Sequence, residues 1–286
     1  MEIRAFTPAD FDEVFDLLDA RSRAAFGISE QNREVIGPWL SVPGTEGWVA
    51  VEDGRVVGHA TLNESHDAAI TAGSPELNEA LLAAIEQRAH ERGFDNLVVI
   101  TPREDEPLDA LVRRSGFSLD REVWRMWRPL DGDLPEPEWP DGVTVRTYTD
   151  ADGERVHALL DSAYGWDPDY VAQSHDGWLA FMTNHDEFDP EMWFLVERDG
   201  ELVACALHWK EHQRRGWVKD IVVAETERGN GLGTSLLHHA FRAYAARDVD
   251  QVGLKVDSTN PTGAPQLYKR AGFTTDRRYG TWIKRL

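Results

Sequence analysis

The chain has 286 residues, 41% of them hydrophobic, with a formal net charge of -21 and a single cysteine, Cys205. That charge would repel a phosphate backbone, which excludes nucleic acid as a partner, and one cysteine excludes an intramolecular disulfide or a cysteine-rich metal site. No apolar run approaches the roughly 20 residues of a membrane helix, and the acidic, amphipathic N-terminus lacks a signal-peptide pattern, so a cytoplasmic protein with no membrane partner is expected.

In chain order, a short strand around Ile3 leads into a helix with Asp10 near its start. "WVAVEDGRVVGHA" from residue 48 reads as a β-hairpin turning at Asp53-Gly54. "HDAAITAGSPELNEA" leads into an amphipathic helix from Leu81, and "NLVVI" is a buried strand. A short helix ends at Gly116-Phe117, with glycine at the expected C-terminal position. A final strand closes the series.

"DGDLPEPEWPDG", residues 131–142, has three prolines, two glycines and five acidic residues in twelve positions, the composition of a linker. Beyond it the series repeats. "EIRAFTPAD" matches "TVRTYTDAD", with Val145 and Asp152 in place of Ile3 and Asp10. "WFLVERDGELVACA" repeats the hairpin, turning at Asp199-Gly200. Leu236, Leu237, Ala240, Phe241 and Tyr244 give the next long helix its apolar face. "QVGLKV" is the second buried strand, and "LYKRAGF" matches "LVRRSGF". The expected fold class is α/β with a mixed sheet, in two tandem copies: 1–130, the linker 131–142, and 143–286.

The copies differ at one place. From Gly58 to Leu81 the first spans 23 residues, whereas from Ala204 to Leu236 the second spans 32. The added length holds "VKDIVVAETERGNGLG". The first part is a strand by its β-branched content, and "TSLLHHAFRAYAA" is a helix. The glycines between them therefore form a strand-to-helix loop. Such a loop offers unpaired N–H groups at a helix N-terminus, where the dipole also favours anions. A phosphate or pyrophosphate site is expected. The spacing is neither a P-loop nor the dinucleotide fingerprint.

Arg228-x-x-Gly231-x-Gly233 instead resembles the acyl-CoA signature of the GNAT acetyltransferase superfamily. "VDSTNPTGAPQLYKRAGF" resembles its later motif, with Asn260, Tyr268, Gly272 and Phe273 in the motif positions. The two-copy layout is similar to tandem GNAT proteins, the group that includes mycothiol synthase. The first half lacks the glycine loop and no residue marks a thiol-sugar acceptor, which sets the chain apart from that enzyme. The first half reads as a degenerate copy.

The resemblance implies acetyl-CoA as cosubstrate, no metal, and direct transfer of the acetyl group to a small primary amine. The acidic surface serves solubility or draws in that amine as its ammonium form. It implies that Val222, Val223 and Ala224 hold pantetheine through the backbone. Gly229, Asn230, Gly231, Leu232, Gly233, Thr234 and Ser235 would cradle the pyrophosphate, with Arg228 directed at the phosphates or at a surface partner. Asn260 would contact the cofactor or cap the segment after it. Tyr268 would protonate the departing thiolate.

The usual base position falls near Trp217, so the base does not carry over. Asp220 is the nearest carboxylate on the strand, with His208 and Glu211 as weaker candidates. That gap leaves a second class of reading, a CoA-binding sensor or structural partner without chemistry. Trp166 and Trp178 are candidates to face the acceptor, and Trp193 for the core. Cys205 is expected to be a buried strand residue. His238 and His239 read as helix positions without metal-ligand spacing, as do His175 and His185. Monomer and homodimer are both compatible.

Overall fold

The computed structural model describes residues 2–26, 33, 36–37, 44–167, 170–212 and 214–286. They form two compact units, Met1–Val123 with Arg277–Leu286, and Trp124–Asp276. The architecture is mixed α/β in both.

The first unit contains β1 (Glu2–Ala5), α1 (Phe11–Phe26), β2 (Glu46–Glu52), β3 (Arg55–Leu62), β4 (Asp67–Ala72), α2 (Pro75–Glu91), β5 (Asn96–Pro102) and α3 (Glu106–Arg114). The strand β6 (Ser118–Pro129) begins in this unit and ends in the other. The sheet runs β1-β2-β3-β4-β5, and the strand beside β5 comes from the end of the chain. There Trp282 lies opposite Val99 and Lys284 opposite Leu97. The Trp282 indole donates to Thr101 Oγ1 at 2.9 Å in a buried setting. One sheet face packs on α2 and α3 through Leu81, Ile85, Leu111 and Val112.

The second unit contains β7 (Val143–Thr147), α4 (Gly153–Tyr164), α5 (His175–Thr183), β8 (Phe194–Arg198), β9 (Glu201–His212), β10 (Arg215–Val223), α6 (Leu232–Ala245), β11 (Gln251–Asp257), α7 (Ala264–Arg270) and the start of β12 (Thr274–Arg285). Its sheet runs β6-β11-β10-β9-β8-β7. Alternation along β9 gives each face its own core. Ala204 and Ala206 pack with α6, and Cys205 and Leu207 with α4 and α5.

The repeat is visible in the polar anchors. Arg4 makes a bidentate pair with Asp10 at 2.6 and 2.8 Å, and Arg146 does the same with Asp152 at 2.6 and 2.7 Å. Each carboxylate also caps its helix by accepting from Thr7 or Thr149. The arginine, with help from the threonine, holds each carboxyl far below the usual range.

Residues 131–142 carry no helix or strand and lie along α6. The Ser235 hydroxyl donates to the Glu138 carbonyl, and Arg242 donates to that of Leu134 at 3.3 Å. No helix among the described residues is long and apolar enough to cross a membrane.

Candidate active site

Strands β10 and β11 run parallel but pair at only three positions: Arg215 with Gln251, Gly216 with Val252 and Trp217 with Gly253. Beyond these, β10 continues to Val223 and β11 to Asp257 on diverging paths. The Tyr244 hydroxyl sits at the parting point. It accepts the Trp217 N–H at 3.1 Å and donates to the Trp209 carbonyl at 2.6 Å.

A cavity of about 660 Å3 occupies the opening. Its lining comes from β10 between Val218 and Val223, from the glycine loop and first turn of α6, from the end of β11, from α7, and from the end of α4. Within β10, Val218 faces His208 and Asp220 faces Leu207 on β9, so Lys219 is an extra residue. That β-bulge bends the strand and re-aims the side chains after it.

The ladder decides which backbone groups reach the opening. The Ala224 N–H donates to the Val203 carbonyl at 2.8 Å, so residues 224 and 222 direct their polar groups to β9. The Ala224 carbonyl also accepts from Glu227 at 2.9 Å. By the same alternation Ile221 and Val223 face the opening. The Val223 backbone is thus free to face the opening, whereas Val222 and Ala224 are committed to β9. Ile221 takes the second position, and the bulge that sets this register leaves no mark in composition. Arg228 folds back, its Nε donating to the Val223 carbonyl at 3.2 Å.

Gly229 and Gly231 have φ of 83° and 84°, a left-handed backbone that side-chain-bearing residues rarely adopt. Gly231 is the N-cap of α6 and brings no side chain to cover it. The helix ladder opens with the Ser235 N–H donating to the Gly231 carbonyl at 3.0 Å. The N–H groups of Leu232, Gly233 and Thr234 therefore precede the ladder and face the cavity these residues line. Ser235 differs from expectation: its N–H enters the ladder and its hydroxyl serves the 131–142 segment. Asn230 is exposed and outside the lining.

The equivalent helix start in the first unit is built differently. Ser74 caps α2, its hydroxyl accepting from Leu77 at 3.3 Å, and Pro75 at the first position has no N–H. β4 and β5 also pair briefly, at Asp67–Val98 and Ala68–Val99, yet the donors that α6 exposes are capped or missing in α2.

Two of the titratable groups that line the cavity are buried, Asp220 and Tyr268. Asp220 is 8% exposed and accepts from the Tyr164 hydroxyl at 2.6 Å and from Lys219 Nζ at 3.1 Å. Tyr268, on α7, is 6% exposed. Burial, with the Asp220 charge adding, pushes its phenol above the ordinary tyrosine range. Burial, then Asp220, does the same to Tyr164. Four basic residues, Lys219, Arg228, Lys255 and Arg270, and four carboxylates, Asp167, Asp220, Glu227 and Asp257, line the cavity.

Asn260 lines the cavity, but its Oδ1 is used locally, accepting from the Thr262 N–H at 2.9 Å and hydroxyl at 2.6 Å. His208 is wholly buried on the opposite sheet face, between Phe194 and Tyr244. Burial, with His239 adding, draws its pKa down to about 3, and it does not line the cavity. The Glu211 side chain lies outside the described residues.

Trp166 lines the cavity, while Trp178 and Trp193 are core. Cys205 is wholly buried, and burial raises its thiol. His238 faces the Glu136 carbonyl at 3.2 Å, and His239 packs on Phe194. His175 packs near Trp178, and His185 lies edge-on to Trp209. Tyr164 had no sequence signal, because its role depends on contact with a residue far along the chain.

Residues 154–273 match the acetyltransferase (GNAT) family. A mycothiol acetyltransferase of Saccharopolyspora erythraea is 37% identical over 176 residues, 59% of this chain and 57% of the relative. That of Stackebrandtia nassauensis is 31% identical over 293 residues, covering 93% of this chain and 94% of the relative. A GCN5-related N-acetyltransferase from Sphaerobacter thermophilus superposes with a TM-score of 0.83 at 26% identity, over 99% of this chain and 95% of that one. A tandem GNAT protein from the clavulanic acid biosynthesis pathway has the same fold, with a TM-score of 0.77 at 17% identity, over 99% and 98% of the two chains. With the parted strands, the glycine loop and the doubled architecture, these matches make the chain a member of the GNAT acetyltransferase family, an N-acetyltransferase of the tandem form.

Proposed function

We propose that the second unit binds acetyl-CoA in the cavity between β10 and β11 and transfers the acetyl group directly to a small primary amine that arrives as its ammonium form. The observation that carries this reading is the opening of the sheet beside a bare helix N-terminus, with Asp220 and Tyr268 in the same cavity. When bound, acetyl-CoA supplies an activated acetyl thioester.

The chain's own groups fit such a molecule. The N–H groups of Leu232, Gly233 and Thr234 suit a pyrophosphate, and Arg228, from the same loop, can add a positive charge. The backbone of Ile221 and Val223 can add to an extended amide arm as a strand would. Tyr268 keeps its proton at neutral pH and can give it to a leaving thiolate. Asp220 can hold an ammonium group and accept its proton. Tyr164 fixes one carboxylate oxygen, and the other already faces an ammonium group, that of Lys219, whose place an incoming amine could take.

The capped start of α2 supports a first copy that holds no acetyl-CoA and shapes or supports the second. The relatives' names make the amine of mycothiol's unacetylated form the first acceptor to test, followed by other amino sugars and by diamines. Calorimetric titration of acetyl-CoA, followed by thiol release with each amine, tests the reading. One site per chain, lost on Gly231→Val, and amine-dependent thiol release are expected. No binding would overturn it. Binding without thiol release for any amine would favour a sensor.

A further inference from the structure

The cavity already contains two primary amines, those of Lys219 and Lys255. The chain has only five lysines, Lys210, Lys219, Lys255, Lys269 and Lys284. Lys219 is the bulge residue of β10 and lines the cavity, and its side chain is 31% exposed. Its Nζ lies 3.1 Å from Asp220 Oδ2. The other oxygen of that carboxylate is fixed by Tyr164 at 2.6 Å. The carboxylate best placed to receive an acceptor's ammonium group therefore already holds one.

We infer that Lys219 is an internal acetyl acceptor, and that in the absence of a free amine the site acetylates its own lysine. The inference rests on the reading that this cavity takes acetyl-CoA. The Lys219 ammonium passes one proton to Asp220, and its nitrogen forms an amide bond to the acetyl carbonyl carbon. The carbon–sulfur bond breaks, its electron pair leaves on sulfur, and Tyr268 protonates that thiolate. Asp220 then returns a proton to Tyr268 through solvent. The nitrogen loses its second proton to solvent as the amide forms. The products are N-acetyl-lysine, CoA thiol and one proton.

A tethered amine needs no binding step and competes with free amines at a high effective concentration. Acetylation neutralises Lys219, ends its ion pair with Asp220 and leaves an amide in the acceptor's place.

The full chain is incubated with acetyl-CoA and no free amine, then examined by intact mass and peptide mapping, with calorimetry on the same sample. The expected result is one added acetyl group, at Lys219. It is lost in Lys219→Arg, which keeps the charge, and reduced in Tyr268→Phe while the other four lysines are unaffected. Added 1,4-diaminobutane in excess should suppress it. Acetyl-CoA binding with Lys219 unmodified would overturn this inference alone. So would label spread over the five lysines according to exposure. No binding would overturn the acetyl-CoA reading beneath it.

Discussion

The Tyr164 hydroxyl donates to Asp220 Oδ1 across 2.6 Å, joining the end of α4 to the bulged strand β10. Asp220 is almost wholly buried, so this bond fixes the cavity carboxylate proposed to receive an incoming amine. Tyr164→Phe removes the donor and leaves a buried carboxylate short of a partner. The expected cost is about 1–3 kcal/mol of stability, read as a lower denaturant midpoint. Turnover should fall in the same variant with acetyl-CoA affinity unchanged. A variant as stable and active as the parent would show that Lys219 alone holds Asp220.

Tyr268→Phe keeps the ring in its core contacts with Phe273 and removes only the hydroxyl. Loss of general-acid assistance should lower turnover by about 10²–10⁴-fold, with little change in acetyl-CoA affinity. In the parent, the raised phenol keeps its proton beyond the ordinary tyrosine range. Steady-state rates should therefore show no fall from Tyr268 ionisation as pH rises from neutral through about 10, where an unperturbed tyrosine titrates. A decline centred there would argue against the tyrosine as donor.

Gly231 adopts a left-handed backbone with open space around it, so substitution acts through conformation and through cover over the neighbouring N–H groups. Gly231→Val should cost about 1–2 kcal/mol and weaken acetyl-CoA about tenfold or more. The mirror experiment is Ser74→Gly with Pro75→Ala in the first unit. It uncaps α2 but leaves the chain at one site, because the rest of the cradle is missing there. A second site in calorimetry would refute that.

The Arg146–Asp152 anchor makes a statement about acid stability. Asp152 is held below the range of an unfolded aspartate, near about 3.9. Its contribution is therefore complete above that value and is lost as pH falls through it toward the folded value. Asp152→Asn should lower stability at neutral pH and flatten the stability curve in acid. Denaturant unfolding at several pH values reads both, and an unchanged acid slope would assign that slope to other carboxylates. Asp10→Asn should act likewise, since Arg4 and Thr7 hold Asp10 in the same way.

The features legible in the sequence were those written locally. The glycine loop, the helix ending at Gly272, the Asp-Gly hairpin turns and the helix starts marked by Asp10 and Asp152 each depend on residues within a few positions. Tyr268 was legible because its motif is contiguous. Tyr164, Ile221 and the exchanged strand at Trp282 were not, because each takes its role from a partner far away in the chain or from a register set by one bulged residue. The Pro-rich segment read as a spacer because its contacts to α6 run through its carbonyls, which every sequence has.

The strand next to β5 comes from the last residues of the chain, and the second unit begins at Trp124, before the Pro-rich segment. Cutting the chain within 131–142 would thus strip a strand from each sheet and expose an apolar edge. The capped helix start of the first unit does not make that unit removable, because the stretches of chain before and after residues 131–142 each supply a strand to the other's sheet.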